Sequence, residues 1–193
     1  MTNNEIELVS SDVLNKYVNR GGSYKQFLNI MQSEGIKFKE APITNEKFTG
    51  ALTFGLNDQP YIMINKSINN PGRRNFTIAH ELGHFFLNHK LHQNYFFCQD
   101  NQISEESDVS DGIEQEANYF ASCFLMPGEK VTKAFLGILK NSKKVKNKRF
   151  LIVTNETYGI WCNIRDTLTE RYGVSEAALR YRLIKLNLLE IGF

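Results

Sequence analysis

The chain has 193 residues, 41% hydrophobic and 23% charged, which is enough to bury one core with at most a small appendage. Its 23 basic and 21 acidic side chains leave a formal net charge of +2, which excludes a surface built throughout to hold nucleic acid. Residues 1–12 lack the basic start and apolar run of a signal peptide, and no later stretch is long and apolar enough to span a bilayer, so a cytoplasmic protein without a membrane partner is expected.

Helices open the chain. Ser23 can cap one whose apolar positions Phe27, Leu28, Ile30 and Met31 face inward, with Gly35 at its stop. A strand at 36–38 follows. Residues 48–54 and 61–64 then flank Gly55-Leu56-Asn57-Asp58-Gln59, which has the turn chemistry of a β-hairpin. The segment 61–64 is read as an edge strand open to an extended peptide. Asn70 and Pro71 mark a helix entrance, since asparagine caps bare amides and proline at the first position lacks only a donor the helix does not use. That helix should run to about Lys90.

Between residues 100 and 116 there are seven acidic side chains and no basic one, the composition of an exposed loop. A helix then runs from about Gly112 to Leu125, stopped by Pro127. Residues 130–149 carry eight basic side chains and no acid, read as a solvated face with a mobile lysine-rich loop at 141–148. From residue 150 onward, a short apolar strand precedes two helices joined at Tyr172-Gly173-Val174-Ser175, with Ser175 as cap. The cysteines Cys98, Cys123 and Cys162 form neither an even set nor a CxxC pair, so reduced thiols are expected.

Chemistry concentrates in His80-Glu81-Leu82-Gly83-His84. Positions i and i+4 share a helix face, so His80 and His84 can present both imidazoles to one ion. Glu81, about 100° round the helix from His80, can reach a water on that ion without taking a ligand position, which makes it the candidate general base. Two histidines leave a tetrahedral zinc short of a protein ligand. A metzincin would place glycine and histidine where Leu87 and Lys90 stand, so the third ligand must come from another element. His89 and His92 read as helix-end or surface histidines.

The helix at 112–125 supplies a better ligand. Its apolar face is set by Ile113, Ala117, Phe120, Ala121 and Phe124. At about 100° per residue, Glu114 falls about 60° from the middle of that face and Glu116 about 100° away on the other side, so Glu114 is the candidate ligand. Asn118, one turn further on, can support a ligating histidine or the carboxylate through a hydrogen bond. Tyr95, Tyr119, Tyr158 and an arginine are all conceivable oxyanion donors, and sequence does not rank them.

The segment Arg74-Asn75-Phe76-Thr77-Ile78-Ala79-His80-Glu81-Leu82-Gly83-His84 resembles the motif helix of the ImmA/IrrE family of metallopeptidases. Residues 114–127 are similar to its second signature and residues 174–183 to its C-terminal helical pattern. The likeness spans roughly residues 61–189. It implies an α+β, zincin-like core: a β-hairpin or small antiparallel sheet, the HExxH helix, a second ligand helix and a C-terminal helical pair. It further implies Zn²⁺ held by two histidines and a glutamate. Residues 1–149 would form the peptidase core, with residues 150–193 packed on it as a strand and helix-turn-helix-like segment. The implied task is cleavage of a helix-turn-helix repressor, often in a phage or mobile element. Alternatives are a peptidase acting on a toxin–antitoxin pair or on general proteins, and a non-catalytic zinc-containing module whose helix pair binds DNA or a protein.

Overall fold

A computed structural model describes residues 1–17, 24–45, 47–89, 112–142 and 149–192. Ser23, His92, Tyr95, Cys98, the acidic residues 100–111 and most of the lysine-rich loop lie outside the described residues. The architecture is mixed α+β. Helices α1 (Asn3–Tyr17) and α2 (Tyr24–Ser33) lead into strands β1 (Lys37–Ala41), β2 (Gly50–Phe54) and β3 (Pro60–Asn65). Helices α3 (Pro71–Phe86), α4 (Gly112–Leu125) and α5 (Gly128–Asn141) follow. The remainder is β4 (Leu151–Val153), α6 (Tyr158–Tyr172), α7 (Glu176–Lys185) and β5 (Leu189–Ile191).

The expected hairpin is β2–β3, antiparallel with Leu52 opposite Ile62. Its turn passes through Asn57 and Asp58, both with left-handed φ (58° and 55°), a conformation short polar side chains tolerate. The sheet is mixed rather than wholly antiparallel, because β1 runs parallel to β3 with Phe38 opposite Ile62. The strand order β1-β3-β2 makes β3 central, which corrects the reading of residues 61–64 as an edge; β2 is the edge strand beside α3. Buried Asn65 closes this arrangement. Its amide donates to the carbonyls of Phe48 (2.9 Å) and Ile43 (3.3 Å), and its Oδ1 accepts from the amides of Ile43 (3.2 Å) and Ser67 (3.0 Å), so the loop from β1 to β2 is tied to the end of β3. Each of these bonds satisfies a polar group that burial would otherwise leave unpaired.

Helix α3 begins as its sequence requires, with the Asn70 side chain accepting from the amide of Arg73 and Pro71 in the first turn. Nearly all of its middle, from Phe76 to His84, is buried, with β2 and β3 on one side and α4 on another. The helix stops at Phe86, short of Lys90. Asn88 takes a left-handed φ of 53°, and the amides of Asn88 and His89 bond back to the carbonyls of Phe85 (3.1 Å) and His84 (3.0 Å). This is the paired 5→2 and 6→1 pattern of a Schellman end, and asparagine tolerates the αL position it needs.

Gly83 sets the spacing between the two central helices. A Cβ there would lie 3.1 Å from the Ala117 carbonyl oxygen, 3.1 Å from Phe120 Cδ1 and 3.2 Å from Ala117 Cα. Phe86, Phe120, Phe124 and Phe27 continue the packing as a run of adjacent rings at centroid spacings of 6.1, 6.0 and 5.8 Å. In α2, Phe27, Ile30 and Met31 are buried, but Leu28 is on the exposed side. The basic stretch after Pro127 folds as α5, which buries Val131, Phe135 and Leu139 and turns its lysines outward.

The C-terminal helices pack on α5 and α4, and the turn between them sits on the start of α3. A Cβ at Gly72 would meet the main chain of Val174 at 2.4 Å and of Ser175 at 2.5 Å, and Asn75 donates to the Gly173 carbonyl at 2.9 Å. Gly173 is left-handed (φ 61°), and Ser175 caps α7 by accepting from Ala178. The sequence showed no sign of β5, which pairs in parallel with β4. Arg182, on α7, is fully buried. It donates to the Met126 carbonyl (3.0 Å), to Cys123 Sγ (3.1 Å) and to Glu7 of α1 (2.6 Å), and its guanidinium lies over the Tyr119 ring.

Candidate metal centre

Three buried side chains converge between α3 and α4. His80 and His84 stand one turn apart, with their Nε2 atoms 2.9 Å from each other. Glu114 enters from the first turn of α4, its Oε2 3.1 Å from His80 Nε2 and its Oε1 3.2 Å from His84 Nε2. Among the described residues this is the only set of three or more histidine, cysteine or carboxylate side chains with ligand atoms close enough to share one ion, all within 4.8 Å of each other. Gly83 lets α4 lie close to α3 beside this cluster, since a Cβ there would crowd Ala117 and Phe120.

The hydrogen-bond logic fits a cation. His80 Nδ1 lies 2.9 Å from Asn118 Oδ1, and an amide oxygen only accepts, so Nδ1 carries the proton and Nε2 presents a lone pair. Glu114 Oε2 is buried and receives no hydrogen bond. Lone pairs therefore face lone pairs, an arrangement a divalent cation satisfies. The donor set of two imidazoles and one carboxylate, with edges of 2.9–3.2 Å, matches the edge of about 3.3 Å in a tetrahedral zinc shell with bonds of about 2.0–2.1 Å. Electrostatics agree. Burial lowers the pKa of His84 to about 4 against a partial opposing effect of Glu114, so this imidazole is neutral at pH 7. Burial works to raise the pKa of Glu114, and the opposing effect that holds the carboxyl below its ordinary range needs N–H bonds from His80 and His84, so it belongs to the acid range where the imidazoles are protonated and not to the neutral arrangement.

Glu81 is buried on α3 against β2, where a Cβ on Gly50 would lie 3.1 Å from its Oε1. Asn118 supports His80 as described. Glu116 stands outside the three-residue cluster yet still touches its periphery. Its Oε2 is 3.0 Å from His89 Nε2, and its Oε1 contacts the amino group of Met1. His89, read from sequence as a helix-end or surface histidine, lies at the end of α3 but is buried rather than on the surface, its Nδ1 2.9 Å from His84 Nδ1. The signal that could have located it was Asn88, whose left-handed turn folds His89 back over the last turn of α3. Among the tyrosines considered, Tyr119 directs its hydroxyl to Glu7 at 3.4 Å and burial raises its pKa to about 12, while Tyr158 is exposed. Burial also raises the Cys123 thiol, to about 11, so it is a packing group.

A mixed sheet beside an HExxH helix, with a second helix delivering a glutamate to the histidine pair, defines the zincin-like class. Residues 31–184 match the family model Peptidase_M78, the IrrE N-terminal-like domain, and the chain belongs to this metallopeptidase family. A solved Mycobacterium tuberculosis transcriptional regulator shares the fold with a TM-score of 0.59 at 17% sequence identity. The match covers 94% of this chain and 48% of that one, so the chain spans about half the length of that protein. No curated protein matches the sequence. Among the described residues, no helix is long and apolar enough to cross a membrane.

Proposed function

We propose that the chain is a zinc-dependent endopeptidase that cuts a protein substrate at one or a few sites, and that this substrate is a helix-turn-helix transcriptional repressor. The observation that carries the catalytic reading is the buried His80–His84–Glu114 cluster with Glu81 beside it on the same helix. His80, His84 and Glu114 would hold zinc, which when bound supplies Lewis acidity that polarises a peptide carbonyl and acidifies water. Glu81 takes the proton from the attacking water and passes it to the leaving amide nitrogen. Asn118 holds His80 with its Nε2 lone pair turned inward. β2 supports binding of an extended segment, because it is an edge strand and Gly50 brings its backbone against Glu81. A segment added along that edge would gain main-chain hydrogen bonds next to the base. Folded proteins should resist, since their backbone is already paired.

The repressor substrate rests on the family likeness. A cytoplasmic setting fits two unpaired thiols, Cys123 and Cys162. The rival DNA-binding reading of α6 and α7 loses one of its arginines, as Arg182 is committed to Glu7 and the core. A salt-dependent mobility shift on duplex DNA would favour that rival. The direct test incubates zinc-loaded protein with a candidate helix-turn-helix repressor and with unrelated unfolded proteins. Defined repressor fragments are expected, and Glu81→Gln should retain about one zinc per chain with cleavage abolished, because glutamine keeps the shape without the base. Cleavage by zinc-replete Glu81→Gln would reject the mechanism. Digestion of unfolded proteins with the repressor untouched would favour the general peptidase.

A further inference from the structure

His84 is backed differently from His80. Asn118, a neutral amide, supports His80. Behind His84 a chain of two bonds runs outward, from His84 Nδ1 to His89 Nδ1 at 2.9 Å and from His89 Nε2 to Glu116 Oε2 at 3.0 Å. The polarity of that chain follows from its outer end. A carboxylate only accepts, so His89 Nε2 donates; in a neutral imidazole the other nitrogen is then an acceptor, so the proton between the two rings belongs to His84 Nδ1. His84 is thereby left with a lone pair on Nε2, the atom that faces His80 and Glu114.

We propose that His89 and Glu116 are positioning residues of the metal centre, locking the tautomer and ring orientation of His84 so that its Nε2 is presented as a ligand. This rests on the metal-site reading above. Three features show a built arrangement. His89 is buried and packs edge-on to His84, with ring centroids 5.0 Å apart and planes 70° apart. It is delivered by the Schellman end at Asn88, a defined backbone geometry. Glu116 comes from the same helix as Glu114 and Asn118, so α4 places three side chains toward α3: one toward the shared site and one behind each histidine, directly for His80 and through His89 for His84. Outer partners of a ligating histidine commonly contribute about 10–100-fold in metal affinity by fixing its tautomer and raising its basicity.

The test uses the full chain, ¹⁵N-labelled, metal-free and zinc-loaded at pH 8, with two-bond ¹H–¹⁵N correlations to report the imidazole tautomers. Metal-free protein should show His84 protonated on Nδ1 and His89 protonated on Nε2. Zinc competition against a chromophoric chelator should show His89→Ala weakened about 10–100-fold. His89→Gln, whose carbonyl oxygen can accept from His84, should recover part of that loss. Glu116→Ala should lose several-fold and blur the His89 tautomer, whereas Glu116→Gln, which still offers an oxygen to His89 Nε2–H, should stay near wild type. Circular dichroism checks each fold; should His89→Ala unfold, the Glu116 pair decides. The proposal is overturned by His84 protonated on Nε2 in the wild type, or by folded His89→Ala or Glu116→Ala with wild-type zinc affinity and unchanged tautomers. A wild type that binds no zinc would sink the metal-site reading, while the tautomer spectra would still show whether His89 and Glu116 orient His84.

Discussion

Replacing Gly83 by alanine tests whether the approach of α3 to α4 assembles the metal centre. Alanine is favoured over glycine inside a helix by about 1 kcal/mol, so propensity alone predicts stabilisation. Against this, the new Cβ would sit 3.1–3.2 Å from three atoms of α4, two of them main chain that cannot rotate aside. Overpacking of that kind costs about 1–3 kcal/mol. The balance is a net loss of about 1 kcal/mol, or about 2–4 °C in Tm for a chain of this size. The effect on zinc should exceed the effect on folding. Relief of the clash moves α4 outward by a few tenths of an ångström and carries Glu114 away from His80 and His84, whereas metal–ligand distances tolerate only about 0.2 Å. About a tenfold loss of zinc affinity is expected, with Gly83→Val worse on both counts. Urea unfolding and chelator competition measure the two quantities separately. A Gly83→Ala protein at least as stable as wild type, with undiminished zinc affinity, would refute the claim that this contact sets the ligand geometry.

Glu114→Ala leaves two protein ligands and should lower zinc affinity by more than about 100-fold, beyond what loss of an outer partner produces; wild-type affinity in chelator competition would dissolve the ligand assignment. Acidification should destabilise the metal-free protein through His84. Its pKa is about 4 when folded against an ordinary 6.5, so the unfolded chain binds a proton that the folded one refuses. That contribution is complete above pH 6.5 and is lost as pH falls to 4, a difference of about 3 kcal/mol at about 1.4 kcal/mol per unit. Glu114, held below its ordinary pKa of 4.5, has the same sign at still lower pH. Urea unfolding at pH 7, 5.5 and 4.5 should show the decline, and His84→Gln should flatten it; an equal slope in the variant would remove His84 as its cause.

What could be read from sequence was what depends on a few neighbouring residues. His80 and His84 share a face through the helical repeat, and the phase of α4 turned Glu114 rather than Glu116 toward them, where the structure places it. Asn118, one turn along, lies behind His80 for the same reason. The strand order was not legible, because the partner that makes β3 central is β1, which lies beyond all of β2 and its turn in the sequence, and alternation within residues 61–64 looks the same at an edge or in the middle. His89 was misplaced by treating α3 as continuing to Lys90. In an uninterrupted helix a residue five positions after His84 points well round the cylinder; the left-handed turn at Asn88 removes that constraint. The burial of Arg182 was not legible either, because a pattern of charges cannot show that Glu7 arrives from the opposite end of the chain.

The last of these contacts ties the chain into a closed circuit. Glu7 and Arg182 are separated by 175 residues in sequence, so this one contact joins the first helix to the seventh directly. If α1 peels away alone, the buried guanidinium loses its carboxylate and keeps the Met126 carbonyl, the Cys123 thiol and the Tyr119 ring, a loss moderated by the partial exposure of Glu7 to water. Fraying of the first helix is therefore expected to loosen the seventh through this contact. In native-state hydrogen exchange, amides of α1 and α7 should open as one unit, with protection rising and falling together although they stand at the two ends of the sequence.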